Sequence, residues 1–159
     1  MLANVLTLRS LLESKIDFNQ IEIENLINFL QSKLRAAIFK KPEKEKEIQD
    51  SIEQLLIGRG LNKGIEYDRE VGRVKVSSKE VIPDFIFPRL NLALEVKLCT
   101  DETKKKKIID EINADIQSYS KIYERILFVV YDLGTIRDEV EFKTGIDDGI
   151  KVSIIIVKH

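Results

Sequence analysis

Apolar residues along the chain follow two different periods. Toward the N-terminus they recur every three or four positions, as on a helix with one buried face. Leu2, Val5, Leu6, Leu8, Leu11 and Leu12 predict a first helix. "DFNQIE" predicts a restart, with Asn19 as N-cap and Glu22 three positions on, the spacing of a capping box. The helix opened there carries Ile23, Leu26, Ile27, Leu30, Leu34 and Ile38 on one broad stripe. Pro42 stops it and starts another over "PEKEKEIQDSIEQLLIGRG", which Gly58, Gly60 and Gly64 close.

Beyond Gly64 the period drops to two. "IEYDREVGRVKV", "EVIPDFIF" and "NLALEVKLC" predict three strands joined by short turns. "CTDETKKKKIIDEINADIQSYSKIYER" predicts a helix whose apolar face holds Ile108, Ile109, Ile112, Ile116, Tyr119 and Tyr123. The continuous apolar run "ILFVVYD" suits a buried inner strand, and "KVSIIIVKH" a last strand. Helices, three strands, a helix and two more strands make an α/β sheet with a helix crossing over its face, extended by an N-terminal helical piece.

Composition narrows the chemistry. A length of 159 residues suits one domain with a real core. Lys plus Arg (26) nearly cancels Asp plus Glu (27), so any contact with nucleic acid must come from a local patch and not from overall charge. Cys99 is alone, which excludes a disulfide framework and fits a reducing cytoplasm. The start lacks the pattern of a signal peptide, and no apolar run approaches membrane-spanning length. His159 is the only histidine, which leaves neither a zinc cluster nor a Ser-His-Asp triad. No Gly-Lys-Ser/Thr loop follows a strand.

Three charged residues interrupt the apolar stretch "VIPDFIFPRLNLALEVKLC": Asp84, Glu95 and Lys97. Alternation along "LALEVKL" puts Ala93, Glu95, Lys97 and Cys99 on one face, with Glu95 and Lys97 about 7 Å apart. A hairpin centred between Arg89 and Leu90 sets Asp84 opposite Glu95, with Cβ atoms roughly 5 Å apart. Two carboxylates so placed repel, and a divalent cation between them removes the repulsion. Mg²⁺ accepts one or two carboxylates and keeps several waters, leaving room for a phosphate oxygen. Lys97 beside them would orient a water and stabilise developing negative charge, the parts of metal-assisted phosphodiester hydrolysis. The ordinary alternative is a strand that begins with Pro-Asp and exposes Glu-Val-Lys on its surface.

"IPDFIF" with "ALEVKL" resembles the PD-(D/E)XK nuclease superfamily, which implies a restriction-endonuclease-like fold: a central mixed sheet flanked by helices, bearing a metal-dependent site. "EKEIQDSIEQLL", "DFIFPRLNLALEVK" and "DEINADIQSYSKIYERILFVVYDLGTIRD" together resemble the restriction-endonuclease-like domain named after DpnII and MboI. The resemblance runs from about Glu45 to the C-terminus and leaves residues 1–41 outside. It implies a nuclease domain over residues 42–159, DNA as partner, and Mg²⁺ as cofactor, with Mn²⁺ as a substitute. It implies metal binding by Asp84 and Glu95, catalysis by these with Lys97, and a supporting acid from the first core helix. Glu45, Glu47 and Glu53 compete for that last place. Glu45 extends the apolar face of Ile48, Ile52, Leu55 and Leu56, and with Gln49 it matches the family's Glu-x-x-x-Gln.

The run Lys104–Lys107 opens a helix, where the macrodipole disfavours cations, so phosphate contact is the functional reading and a solvated surface the plain one. Lys107, Glu111 and Asp115, four apart, read as surface ion pairs. Gln117 and Tyr119 are possible supports of the site, Tyr119 with its ring in the core. Cys99 reads as a small core residue. The resemblance implies a DNA endonuclease acting in prokaryotic defence or DNA processing. The rivals are a non-catalytic nucleic-acid-binding or assembly module on the same fold, and an RNase or structure-specific nuclease. The apolar stripe of the N-terminal helices needs a cover, which predicts a homodimer through residues 1–41.

Overall fold

A computed structural model describes residues 1–159, apart from the side chain of Val76. The elements are α1 (Leu2–Ala37), α2 (Glu45–Gly58), β1 (Asp68–Arg69), β2 (Val74–Val76), β3 (Lys79–Val81), β4 (Phe85–Phe87), β5 (Leu92–Cys99), α3 (Glu102–Tyr119), β6 (Arg125–Asp132), α4 (Glu139–Lys143) and β7 (Val152–Lys158). Five strands form one sheet in the order β1-β4-β5-β6-β7. The β1–β4 and β4–β5 pairs are antiparallel, while β5–β6 and β6–β7 are parallel. This is the mixed sheet flanked by helices that the resemblance implies. Among the described residues no helix is long and apolar enough to cross a membrane.

Alternation in β5 divides the core in two. Leu92, Leu94, Val96 and Leu98 pack with Ile48, Ile52 and Leu56 of α2 and with Ile23, Leu26, Leu30 and Leu34 of α1. Ala93 and Cys99 face the other way, toward Ile108, Ile112 and Tyr119 of α3. Strands buried on both faces read as continuous apolar runs, which is why β6 shows no alternation in sequence.

The turn from β4 to β5 is a short 3-10 helix, Pro88–Leu90, followed by Asn91 in the left-handed region at φ 49°. It holds the expected register, Phe85 opposite Leu94. The next step of that ladder brings Asp84 to Glu95.

Three expectations about elements need correction. The first 37 residues form one helix and not two, so Asn19 caps nothing. No Gly or Pro interrupts this segment, Gln20 donates to Glu24 within it, and the packed stripe from Ile23 to Leu34 lets the helix propagate backward past the Asn-Gln pair. The stretch from Ile65 to Val76 is not a single strand. After Arg69 the chain leaves the main sheet through Glu70 at φ 55°, and β2 pairs with β3 in a separate ribbon. "EVIPDFIF" likewise breaks between β3 and β4, where Pro83 has no N–H for a ladder. The short helix α4 had no expected counterpart. Its signal was the "DEVE" box, in which Asp138 accepts from the Glu141 amide.

At 36 residues, α1 is about 54 Å long. Its second half is a wall of the core. Its first half exposes Leu2, Val5, Leu6, Leu8, Leu11, Leu12 and Ile16, each more than half accessible. The segment that stands clear of the core is therefore shorter than residues 1–41.

Candidate active site

The site forms where β4 stops short of its neighbour. β5 continues past Leu94 while β4 begins at Phe85, so the amides of Val96 and Leu98 face an edge with no strand. Buried amides need acceptors. Two carboxylates supply them. Asp84 Oδ2 accepts from the Val96 amide at 2.7 Å, and Glu45 Oε1, from the first turn of α2, accepts from the Leu98 amide at 3.2 Å.

From there the contacts spread to both layers. Asp84 Oδ1 accepts from Gln49 Nε2 at 2.8 Å, and the Asp84 amide donates to Glu95 Oε2 at 3.3 Å. Glu95 also accepts from the Tyr119 hydroxyl at 3.0 Å and from Lys97 Nζ at 3.2 Å. Lys97 is 6% exposed, and its ammonium lies 2.8 Å from Asp115 Oδ2 and 3.9 Å from Glu111 Oε2. Asp115 Oδ2 makes that ion contact at an angle poor for a hydrogen bond and has no other partner.

Burial dominates the protonation of this cluster. It pushes the Asp84 carboxyl above its ordinary range, and the charge of Glu45 adds to the shift, against the Val96 amide and Lys97. Burial also raises Glu95, and the charge of Asp84 raises it further. Lys97 moves the other way. Desolvation disfavours its charge, but Glu95 and Asp115 outweigh it and hold the ammonium protonated. Burial and the Glu95 charge raise the Tyr119 phenol, which stays a donor. Two adjacent half-buried carboxylates that resist ionising together are the environment a hard cation relieves. Among the described residues no three His, Cys, Asp or Glu side chains converge on one metal position. Two carboxylates with the remaining ligands left to water fit Mg²⁺ better than a closed protein cage.

The structure thus brings Asp84, Glu95, Lys97, Glu45, Gln49 and Tyr119 into one network. Gln117 is exposed on α3 and takes no part in it. Glu47 is exposed and accepts from the Glu43 amide. Glu53 turns to Arg69 and Lys63, away from the cluster. Most of the lysine run is occupied by acids. Lys104 Nζ lies 3.4 Å from Glu111 and 3.9 Å from Glu45, Lys105 pairs with Glu102 at 2.7 Å, and Lys107 lies 3.9 Å from Glu111. With Asp101 as N-cap, these pairings explain how the first turn tolerates cations. Cys99 is buried, its thiol pushed up to about 11 by burial and by Asp132.

Asp115 and Glu111 are the residues that the surface-pair reading misplaced. Asp115 is half-buried, on Lys97. The signal was its place in the stripe Ile108, Ile112, Asp115, Tyr119, spaced four, three and four along an otherwise apolar helix face.

A family model described as REase_DpnII-MboI matches residues 65–159. The chain belongs to the DpnII-MboI restriction endonuclease family. In this DpnII-MboI domain the matched span takes in Asp84, Glu95, Lys97, Asp115 and Tyr119, while Glu45 and Gln49 enter from α2, outside it. Membership places the chain among nuclease domains whose substrate is DNA. No curated protein and no solved structure matches the chain.

Proposed function

We propose that the chain is a metal-dependent DNA endonuclease of the PD-(D/E)XK type, acting in prokaryotic defence or DNA processing in the cytoplasm. The observation that carries this reading is the half-buried Asp84–Glu95 pair with the Lys97 ammonium 3.2 Å from Glu95. Asp84 and Glu95 would hold Mg²⁺, or Mn²⁺ in its place. The bound ion would supply a Lewis acid for a phosphate oxygen and a water of lowered pKa. Glu45 and Gln49 support the carboxylates from α2, and Tyr119 orients Glu95 from α3. Lys97, held charged by Glu95 and Asp115, positions the attacking water and stabilises negative charge as it develops on the phosphate. Lys106, exposed at the start of α3 and without an acidic partner within 4.0 Å among the described residues, is the member of the lysine run we expect to meet the DNA backbone.

The second half of α1 serves the nuclease unit as a wall, and we assign the exposed first half to self-association. One site cuts one strand, so cleavage of both strands by a C2 homodimer accords with that assignment.

The test uses plasmid, single-stranded DNA and RNA with Mg²⁺, with Mn²⁺ and with chelator. Duplex cleavage that needs a divalent ion is expected. Asp84→Ala and Lys97→Ala should each abolish it in a folded protein. Mg²⁺ should raise the melting temperature of Lys97→Ala but not of Asp84→Ala. Full activity of either variant would refute the assignment.

A further inference from the structure

Between β1 and β4 the chain leaves the main sheet to build the β2–β3 ribbon, turned at Ser77 and Ser78. A two-stranded hairpin alone is marginal in water. Val74 and Val81 anchor this one. Val74 is 1% exposed and, with half-buried Val81, packs in the cluster of Ile108, Ile112 and Tyr119 on α3. Gly72 sets the approach, since a Cβ there would collide with the Tyr123 hydroxyl and lie 2.8 Å from Ile86 Cγ2. The ribbon is thus seated on the helix that sends Glu111, Asp115 and Tyr119 into the carboxylate cluster. It hands the chain to Asp84 through Ile82 and Pro83 alone.

What the ribbon shows to solvent is cationic. Arg73, Lys75 and Lys79 are exposed, and Glu80 is the only acid between residues 73 and 81. Three bases less one acid leave +2 there, on a chain whose total is -1. Arg73 lies 3.5 Å from Glu80. Among the described residues Lys75 and Lys79 have no acidic partner within 4.0 Å, in contrast to Lys104, Lys105 and Lys107. At the tip, Ser77 sits at φ 56°, a conformation that Gly or Asn adopts with less strain.

We propose that the β2–β3 ribbon is a DNA-contacting arm that enters the major groove of a duplex beside the cleavage position. Lys75 and Lys79 engage phosphates, and Ser77 and Ser78 face base edges. This rests on the endonuclease reading above and names the element that reads its substrate. Charge selects the partner, and the major groove admits a two-stranded ribbon. The reach is bounded by the chain. From Ser78 to Asp84 an extended backbone spans at most about 20 Å. With base pairs about 3.4 Å apart, the contacts fall within about six base pairs of the cut.

The test is fluorescence anisotropy of a labelled duplex across a salt series, in chelator so that no cleavage intervenes. Lys75→Gln/Lys79→Gln should flatten the dependence of log K on log salt by about 2 and weaken low-salt binding about 10-fold or more, with an unchanged melting temperature. Ser77→Gly/Ser78→Gly should keep the slope but change which sequences are cut with Mg²⁺ present. If the wild-type protein binds and cuts duplex DNA while both variants keep its slope and cleavage pattern, the arm assignment falls and the endonuclease reading stands. A wild-type protein that neither binds nor cuts duplex DNA overturns both.

Discussion

At the scale of single residues, the site depends on charges held at the edge of the core by the groups they satisfy. Asp84 and Glu45 accept amides that β5 would otherwise leave unsatisfied, so their roles in folding and in the proposed chemistry are joined. Asp115 acts at one remove, through Lys97. Asp115→Asn should lower the cleavage rate roughly 10- to 100-fold, the usual cost of losing a supporting group. DNA binding and stabilisation by Mg²⁺ should persist, and a single-turnover assay beside a melting assay separates these effects. Glu53 offers a contrast remote from the site. Burial raises its carboxyl, but hydrogen bonds from Arg69 and Lys63 and the Lys63 charge prevail and hold it below 4.5. A depressed carboxylate stabilises the fold above its unfolded pKa and loses that contribution as pH falls through the folded value. Glu53→Gln should therefore destabilise the protein near pH 7, with the gap to wild type closing below pH 4.5 in denaturant titrations. Asp84, Glu95 and Lys97 could be singled out from sequence because charge in an apolar run is conspicuous. Asp115 could not be singled out in that way, because an acid four residues from another on a helix is ordinary.

At the scale of elements, close approach decides more than propensity. The stretch around Gly72 has the alternation of one long strand, yet it must pass within side-chain distance of Tyr123 and Ile86. Gly72→Ala should cost about 1–3 kcal/mol by overpacking, read as a lowered urea midpoint with an unchanged slope. The register of β4 and β5 was legible because a hairpin is local and its centre lies at Arg89–Leu90. The end of β1 and the detour into β2–β3 were not, because the groups that cause them come from α3 and β4, far along the chain. The continuity of α1 was hidden for a similar reason. A capping-box pattern favours a break only weakly, and packing of the downstream stripe overrides it.

At the scale of the whole molecule, one face of α1 runs from Met1, Val5, Leu8, Leu12 and Ile16 into Ile23, Leu26, Leu30 and Leu34, and only the second stretch is covered. If a second copy covers the first, wild type should sediment as a dimer and Leu8→Glu/Leu12→Glu as a monomer with an intact core. A monomeric wild type would remove the proposed homodimer. The sequence by itself determined the α/β character of the sheet, the strand face shared by Glu95 and Lys97, and the pairing that carries Asp84 to Glu95. Each follows from a period of two or from a turn a few residues long. Only the tertiary structure decided which acid from α2 reaches the edge of β5, that Asp115 turns inward to Lys97, and which lysines keep their charge free of acids. Those outcomes depend on how helices seat on the sheet, where residues dozens of positions apart compete for the same few amides and ammonium groups, and no local pattern records who wins.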